Sequence, residues 1–259
     1  MPASWRSQTK PHLFCPGCGH GTTLKQLGYA IDDLKVQDKT TFGIDIGCSL
    51  LAWNFFDIDT IQTHHGRTTP VMVGYKMMKS KRIAIAYMGD GGGYAIGLQS
   101  LLHAAFRNDP ITAILVNNSL YGMTGGQMAP TTRPGEVTVT SPNGKPAQFG
   151  EGFKGPELVR QIANNKAYVA RTSISKPVLL KNVLKKAIEN QVKNNSFSFV
   201  EVVSICPTNW KMNAKQCFSR LSDMEDYYPL GEIAPKNNHS SSSRIINVSP
   251  TPIVIGGSK

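Results

Sequence analysis

Two short stretches of this chain hold residue types that do chemistry in company. Cys15-Pro-Gly-Cys18 separates two thiols by two residues. A turn at that spacing points both sulfurs the same way, so the pair can wrap one metal centre. Zinc, a redox dithiol and an iron–sulfur ligand pair all fit it. The other stretch is Gly89-Asp90-Gly91-Gly92-Gly93. Glycines there let backbone N–H groups approach a phosphate, and the N-terminus of a following helix favours its negative charge. Asp90 offers a hard carboxylate oxygen, and Asn118 adds a neutral one 28 residues later. With a nearby carbonyl, the set suits Mg²⁺ that bridges a diphosphate. The glycines are not a P-loop. Nor do they form G-x-G-x-x-G with an acid about 20 residues on, as a dinucleotide site would require.

Elements must bring these residues together. Residues 22–34 show helical spacing, with Leu24, Leu27, Ala30, Ile31 and Leu34 on one face. Residues 41–46 read as a buried strand ending at Gly47-Cys48-Ser49. Residues 83–88 and 111–116 read as strands ending at Gly89 and at Asn117-Asn118. Helices are expected over 70–79 and 94–106, then over 157–164 and 178–192. Two further strands, 167–171 and 197–203, follow, the last ending near Cys206-Pro207. Residues 61–67 read as a polar loop holding His64, His65 and Arg67, and 131–155 as a long loop. Strands apolar along their whole length, alternating with helices, predict an α/β fold: an open parallel sheet with helices on both faces. Ligands of such sheets bind at the carboxyl ends of the strands. Cys48, the Gly-Asp-Gly stretch, Asn118 and Cys206 all fall there. One domain is expected over 1–235. A low-complexity linker and C-terminal tail occupy 236–259, with 245–255 either a docking strand or a frayed tail.

Composition narrows the class. The chain has 259 residues, 40% apolar and 17% charged, which excludes a disordered chain. No apolar run approaches the roughly 18 residues of a membrane span. Residues 1–12 lack the apolar core of a signal peptide, so a cytoplasmic protein is expected. The cysteines number five, an odd count that argues against a disulfide framework. The net charge of +11 is spread along the chain and shows no basic motif with interleaved aromatics, so nucleic acid is not an expected partner. Such a surface is either simply solvated or meets an acidic protein.

Gly-Asp-Gly followed nearly thirty residues later by Asn-Asn is similar to the thiamine diphosphate motif. Carried over, Asp90 and Asn118 hold Mg²⁺ together with the Leu120 carbonyl. Four further pieces are Cys15-Pro-Gly-Cys-Gly-His-Gly21, Ile46-Gly-Cys-Ser49, His65-Gly-Arg67, and Tyr121-Gly-Met-Thr-Gly-Gly-Gln127 with Pro130-Thr-Thr132 after it. Together they make residues 10–235 resemble the β subunit of a 2-oxoacid:ferredoxin oxidoreductase. The resemblance implies a thiamine diphosphate-binding fold with Gly89, Gly91, Gly92, Gly122, Thr124, Cys48 and Ser49 at the cofactor. It implies catalytic contacts to substrate or phosphate from His65 and Arg67. It also implies a [4Fe-4S] cluster on Cys15, Cys18, Cys48 and Cys206, since one cubane takes four thiolates. Cys217 is then a spare thiol, and His20 either a loop histidine satisfied locally or a site residue.

The reaction so implied is the coenzyme A-dependent oxidative decarboxylation of a 2-oxoacid to acyl-CoA and CO₂, with electrons passing through the cluster to ferredoxin. The implied partners are an α subunit that supplies the activating Glu, and γ and ferredoxin-like δ subunits. Gly125 stands where some members carry Lys, which points to 2-oxoglutarate or a branched-chain 2-oxoacid rather than pyruvate. Two readings from other classes stand beside this one. One is a non-redox thiamine diphosphate-dependent decarboxylase subunit whose cysteines bind zinc or nothing. The other is a silent scaffold subunit that binds neither thiamine diphosphate nor Mg²⁺.

Overall fold

Apolar runs that are buried on both sides become the strands of a parallel sheet. The computed structural model describes residues 1–8 and 11–235; the expected linker and tail at 236–259 lie outside the described residues. In chain order the strands are β1 (Thr40–Ile44), β2 (Asp59–Gln62), β3 (Ile83–Gly89), β4 (Thr112–Asn117), β5 (Leu120–Tyr121), β6 (Gln127–Met128), β7 (Tyr168–Ser173), β8 (Ser198–Val203) and β9 (Gly231–Glu232). The main sheet runs β2-β1-β3-β4-β8-β7-β9. Every neighbouring pair in it is parallel except β7 with β9. Strands β5 and β6 form a separate hairpin.

Helices cover both faces. They are α1 (Gly19–Leu34), α2 (Thr68–Met78), α3 (Leu98–Arg107), α4 (Gly155–Ile162), α5 (Pro177–Asn194), the short α6 (Pro207–Trp210) and α7 (Ala214–Tyr227). The two-residue period of β3 divides its side chains between two cores. Ile85 and Tyr87 join Leu27 and Ile31 of α1, Leu184 of α5 and Leu221 of α7. Ala84, Ala86 and Met88 join Met72 of α2, Leu101 of α3 and Val159 of α4. The expected open sheet with two covered faces is therefore present.

Three elements differ from the sequence reading. Strand β2 begins before the stretch read as a polar loop and ends within it. It is an edge strand paired with β1, and none of its residues is fully buried, so no apolar run marks it. The helix expected over 94–106 is two pieces: a π turn at Gly92–Ile96, then α3. The wider turn closes with Gly97 N–H donating to the Gly92 carbonyl at 2.9 Å. Helix α7 had no assigned reading, although Asn213 and Gln216 form a capping box at its start.

Candidate active site

The carboxyl ends of β1, β3 and β4 open into one cleft of about 370 Å³. The glycine turn after β3 forms its floor. A Cβ on Gly91 would stand 2.1 Å from the Tyr121 ring, and one on Gly92 would stand 2.0 Å from Asp45 Oδ2. Both positions exclude a side chain and leave backbone facing the cleft. Asp90 is buried, and its partners are neutral donors: Thr131 Oγ1 at 2.5 Å on Oδ2 and the Gly91 N–H at 2.9 Å on Oδ1. Burial pushes its carboxyl up to about 7, against the pull of those donors, and Glu201 adds to the rise. Among the described residues no basic side chain bonds to it, and such a buried carboxylate suits a divalent cation.

The second turn follows β4. Asn117 Oδ1 accepts the Ser119 N–H at 3.1 Å, and Ser119 sits in the left-handed region at φ 61°. Asn118 lines the cleft, and its carbonyl accepts Trp210 Nε1–H at 3.2 Å. Leu120 begins the hairpin that carries Tyr121, Gly122 and Thr124 along the cleft wall. Asp90, Asn118 and Leu120, expected around one cation, thus line one cavity.

Opposite lies Asp45, which sequence reasoning missed. It caps β1 and is 1% exposed. Its Oδ1 accepts the Gly66 N–H at 2.6 Å and Thr68 Oγ1–H at 3.1 Å. Burial raises its carboxyl, while His65 and these donors pull it back. His65 Nδ1 is 2.6 Å from the Ile46 carbonyl and 3.3 Å from Asp45 Oδ2. A carbonyl can only accept, so Nδ1 carries a proton and Nε2 is the nitrogen left for a ligand. The signal for Asp45 was its place at a strand end beside Ile46-Gly-Cys-Ser49.

Most expected site residues line this cleft: His65, Gly89, Asp90, Gly91, Gly92, Asn118, Leu120, Gly122, Thr124 and Cys48. Ser49 and Arg67 are not on its walls. The Ser49 hydroxyl donates to the Asp45 carbonyl at 3.1 Å, which braces the turn from behind. The Arg67 guanidinium donates to the Ile96 and Gly66 carbonyls, where it ties the loop before α2 to the π turn. His20 does line the cleft, in the first turn of α1 rather than in a loop. Its Nδ1 is 2.6 Å from the Tyr87 hydroxyl, and burial lowers its pKa to about 4.

Cys48 on the cleft wall has three further thiols, Cys15, Cys18 and Cys206, within electrostatic reach. Cys15 and Cys18 flank a turn closed by the Cys18 N–H on the Cys15 carbonyl, with Gly17 at φ 75°. The turn packs on the chain after β8, where a Cβ on Gly17 would stand 3.5 Å from Pro207. A Cβ on Gly122 would meet Cys48 Sγ at 2.9 Å and Cys206 Sγ at 3.8 Å. Asn209 Nδ2 donates to the Gly122 carbonyl at 2.9 Å and to Cys206 Sγ at 3.5 Å. Burial, helped by the neighbouring thiols, pushes the Cys18 and Cys48 thiols up to about 12. Among the described residues no three His, Cys, Asp or Glu side chains close round a single ion. Cys217 belongs to α7, its thiol 3.6 Å from the Met212 carbonyl, and it lines a second cavity together with Cys15 and Cys18.

Residues 45–202 match the family of the thiamine pyrophosphate enzyme, C-terminal TPP binding domain. That span holds Asp45, Cys48, Asp90 and Asn118 but not Cys15, Cys18 or Cys206. The chain is 36% identical over 234 residues to the ketoisovalerate oxidoreductase subunit VorA of Methanothermobacter marburgensis, covering 88% of this chain and 48% of that protein. It is 36% identical over 233 residues to the 2-oxoglutarate synthase subunit KorB of Archaeoglobus fulgidus, covering 89% and 84%. The chain thus spans about half the length of the first relative and most of the second. A solved 2-oxoglutarate:ferredoxin oxidoreductase from Magnetococcus marinus, with 2-oxoglutarate, coenzyme A and succinyl-CoA bound, superposes with a TM-score of 0.78 at 26% identity. The superposition covers 91% of this chain and 85% of that one. With the glycine turn, the Asn-Asn turn and this kinship together, the chain belongs to the thiamine diphosphate-binding subunits of the 2-oxoacid:ferredoxin oxidoreductase family.

Proposed function

We propose that this chain is the β subunit of a coenzyme A-dependent 2-oxoacid:ferredoxin oxidoreductase, acting on 2-oxoglutarate or a branched-chain 2-oxoacid. One observation carries the reading: Gly122 lines the cofactor cleft, and a Cβ on it would meet the Cys48 and Cys206 sulfurs at 2.9 and 3.8 Å. Cys48 itself lines the cleft. A redox centre on these thiols would adjoin the place where substrate carbon is oxidised. The non-redox alternative gives that adjacency no purpose.

Thiamine diphosphate, when bound, supplies the carbanion chemistry that releases CO₂ from a 2-oxoacid. The chain's residues do the rest. Asp90, Asn118 and the Leu120 carbonyl would hold Mg²⁺ on the diphosphate. Gly91 and Gly92 keep the floor open for phosphate oxygens. Cys15, Cys18, Cys48 and Cys206 would hold a [4Fe-4S] cluster, with Asn209 donating to the Cys206 sulfur. Cys18, Cys48 and Cys206, kept protonated by burial, would lose their protons to solvent as they bind metal, so loading and deprotonation go together. His65, held through Nδ1, presents Nε2 as a proton donor or acceptor at the cleft.

The carboxylates on the cleft walls are Asp45 and Asp90, and no glutamate lines it among the described residues. The carboxylate that activates the aminopyrimidine is therefore assigned to a partner α subunit. The relatives named for ketoisovalerate and 2-oxoglutarate support the proposed substrate classes. An anaerobic absorbance spectrum with iron and sulfide counts tests the reading. About four of each per chain are expected, with ferredoxin reduction only after the partner subunit is added. A colourless chain that binds thiamine diphosphate would overturn the redox half. Full turnover by the chain alone would overturn the partner half.

A further inference from the structure

Asp90 and Asn118 sit on separate turns, one after β3 and one after β4. Both turns lead to one carboxylate, Glu201, at the middle of β8. Glu201 is fully buried. Its Oε1 accepts Asn117 Nδ2–H at 3.1 Å and Arg171 Nε–H at 3.0 Å. Its Oε2 accepts the Tyr94 hydroxyl. Asn117 precedes Asn118 and holds Ser119 at its positive φ, a conformation a residue with a Cβ keeps only when something fixes it. Tyr94 belongs to the π turn just after Asp90. Its ring fills the space beside Gly155, where a Cβ would come within 2.0 Å of it. A third route runs through Arg171, whose guanidinium lies 5.2 Å from the Tyr228 ring centroid. The Tyr228 hydroxyl donates to the Thr131 carbonyl at 2.7 Å, and Thr131 Oγ1 donates to Asp90.

We propose that Glu201 is a positioning residue that sets Asp90 against Asn118 for the cation. This rests on the reading that those two residues hold Mg²⁺ on the diphosphate. A buried ion pair is a poor source of stability, because desolvation can exceed the attraction. Arg171 already has a second partner in Glu157, bidentate at 2.7 Å for each bond. What Glu201 adds is direction. It takes one donor from each turn and one from the next strand, so movement of either turn breaks a bond to a buried charge.

The test is a Mg²⁺ titration at fixed thiamine diphosphate, with cofactor binding read by calorimetry on the full chain in its assembled complex. Glu201→Gln keeps the volume and is expected to raise the Mg²⁺ concentration for half-maximal binding at least about tenfold. Saturating Mg²⁺ restores binding. Tyr94→Phe and Asn117→Ser each raise it less, and the double variant departs from the product of the two because both act on one carboxylate. Glu157→Gln, which touches Arg171 but neither turn, leaves the Mg²⁺ midpoint in place. The proposal is overturned if Glu201→Gln binds at the wild-type Mg²⁺ concentration, or loses the cofactor whatever the Mg²⁺ level. If Glu201→Gln does not fold, the two single variants decide: wild-type midpoints in both overturn it. Wild-type protein that binds thiamine diphosphate without needing Mg²⁺ would instead remove the metal reading beneath it.

Discussion

Adding one methyl group at Gly92 tests the geometry of the cleft directly. The Cβ of Gly92→Ala would stand 2.0 Å from Asp45 Oδ2, where ordinary contact begins at 3.4 Å. The backbone itself is no obstacle, since Gly92 begins a right-handed turn. Asp45 must retreat, yet the Gly66 N–H, Thr68 hydroxyl and His65 ring hold it at 2.6, 3.1 and 3.3 Å. Losing one bond to a charged group costs about 1.5–3 kcal/mol. Overpacking adds about 1–3 kcal/mol, and the better helix former returns at most about 1 kcal/mol. A net loss of about 1.5–5 kcal/mol follows, which for a domain of this size lowers Tm by roughly 3–20 °C. Thiamine diphosphate binding should weaken about tenfold or more, since the methyl enters the cleft floor. Gly74→Ala is the matched control. It lies in α2, and a Cβ there meets nothing within 4 Å. That change should stabilise by about 0.5–1 kcal/mol. Scanning calorimetry and a cofactor titration on the two variants suffice. A Gly92→Ala protein that melts at or above wild type and binds the cofactor normally would refute the reasoning.

Three other outcomes are expected. Replacing Cys15, Cys18, Cys48 or Cys206 by Ala should abolish iron and sulfide retention, whereas Cys217→Ala should keep both counts. Glu157 links stability to pH: burial raises its carboxyl, but the bidentate Arg171 outweighs this and holds it below the usual range. The stability it contributes is present above the unfolded pKa and declines as pH falls through the lower folded value. Denaturant midpoints measured from pH 6 downward should fall less steeply in Glu157→Gln. Leu27→Ala removes a fully buried side chain between α1 and the sheet and should cost about 2–5 kcal/mol in chemical denaturation.

The parts of the fold that were legible from sequence are those where burial on both sides writes a continuous apolar run. Strands β1, β3, β4 and β8 and the glycine turn between β3 and α3 were readable for that reason. Strand β2 was not, because an edge strand buries little. Helix α7 carried its signal in Cys217, Leu221 and Met224, spaced for one helix face, but the charged residues between them obscured it. At the site, Asp90 and Asn118 could be paired because each follows a buried strand and because the two turns, 28 residues apart, resemble the thiamine diphosphate motif. Asp45 and Glu201 were hidden because a buried acid looks like any other acid until its donors are seen. Ser49 and Arg67 are site residues by the motifs that hold them; in the structure their side chains bond to backbone carbonyls and do not line the cleft.

The placement of Arg171 opposite Glu201 has a meaning for folding as well. In the sheet register Arg171 pairs with Glu201, and Leu115 lies on the far side of Glu201. Strands β4 and β8 are buried at every residue, so their apolar side chains distinguish poorly between one alignment and a shifted one. The charges do distinguish. A slip of β7 by one residue would set Arg171 beside Val200 or Val202 and leave the buried Glu201 without its cation, a cost of several kcal/mol. The pair therefore acts as an alignment key. An assembling sheet that carries it has one low-energy way to lay β7 against β8, the register in which Glu201 also meets Asn117 and Tyr94.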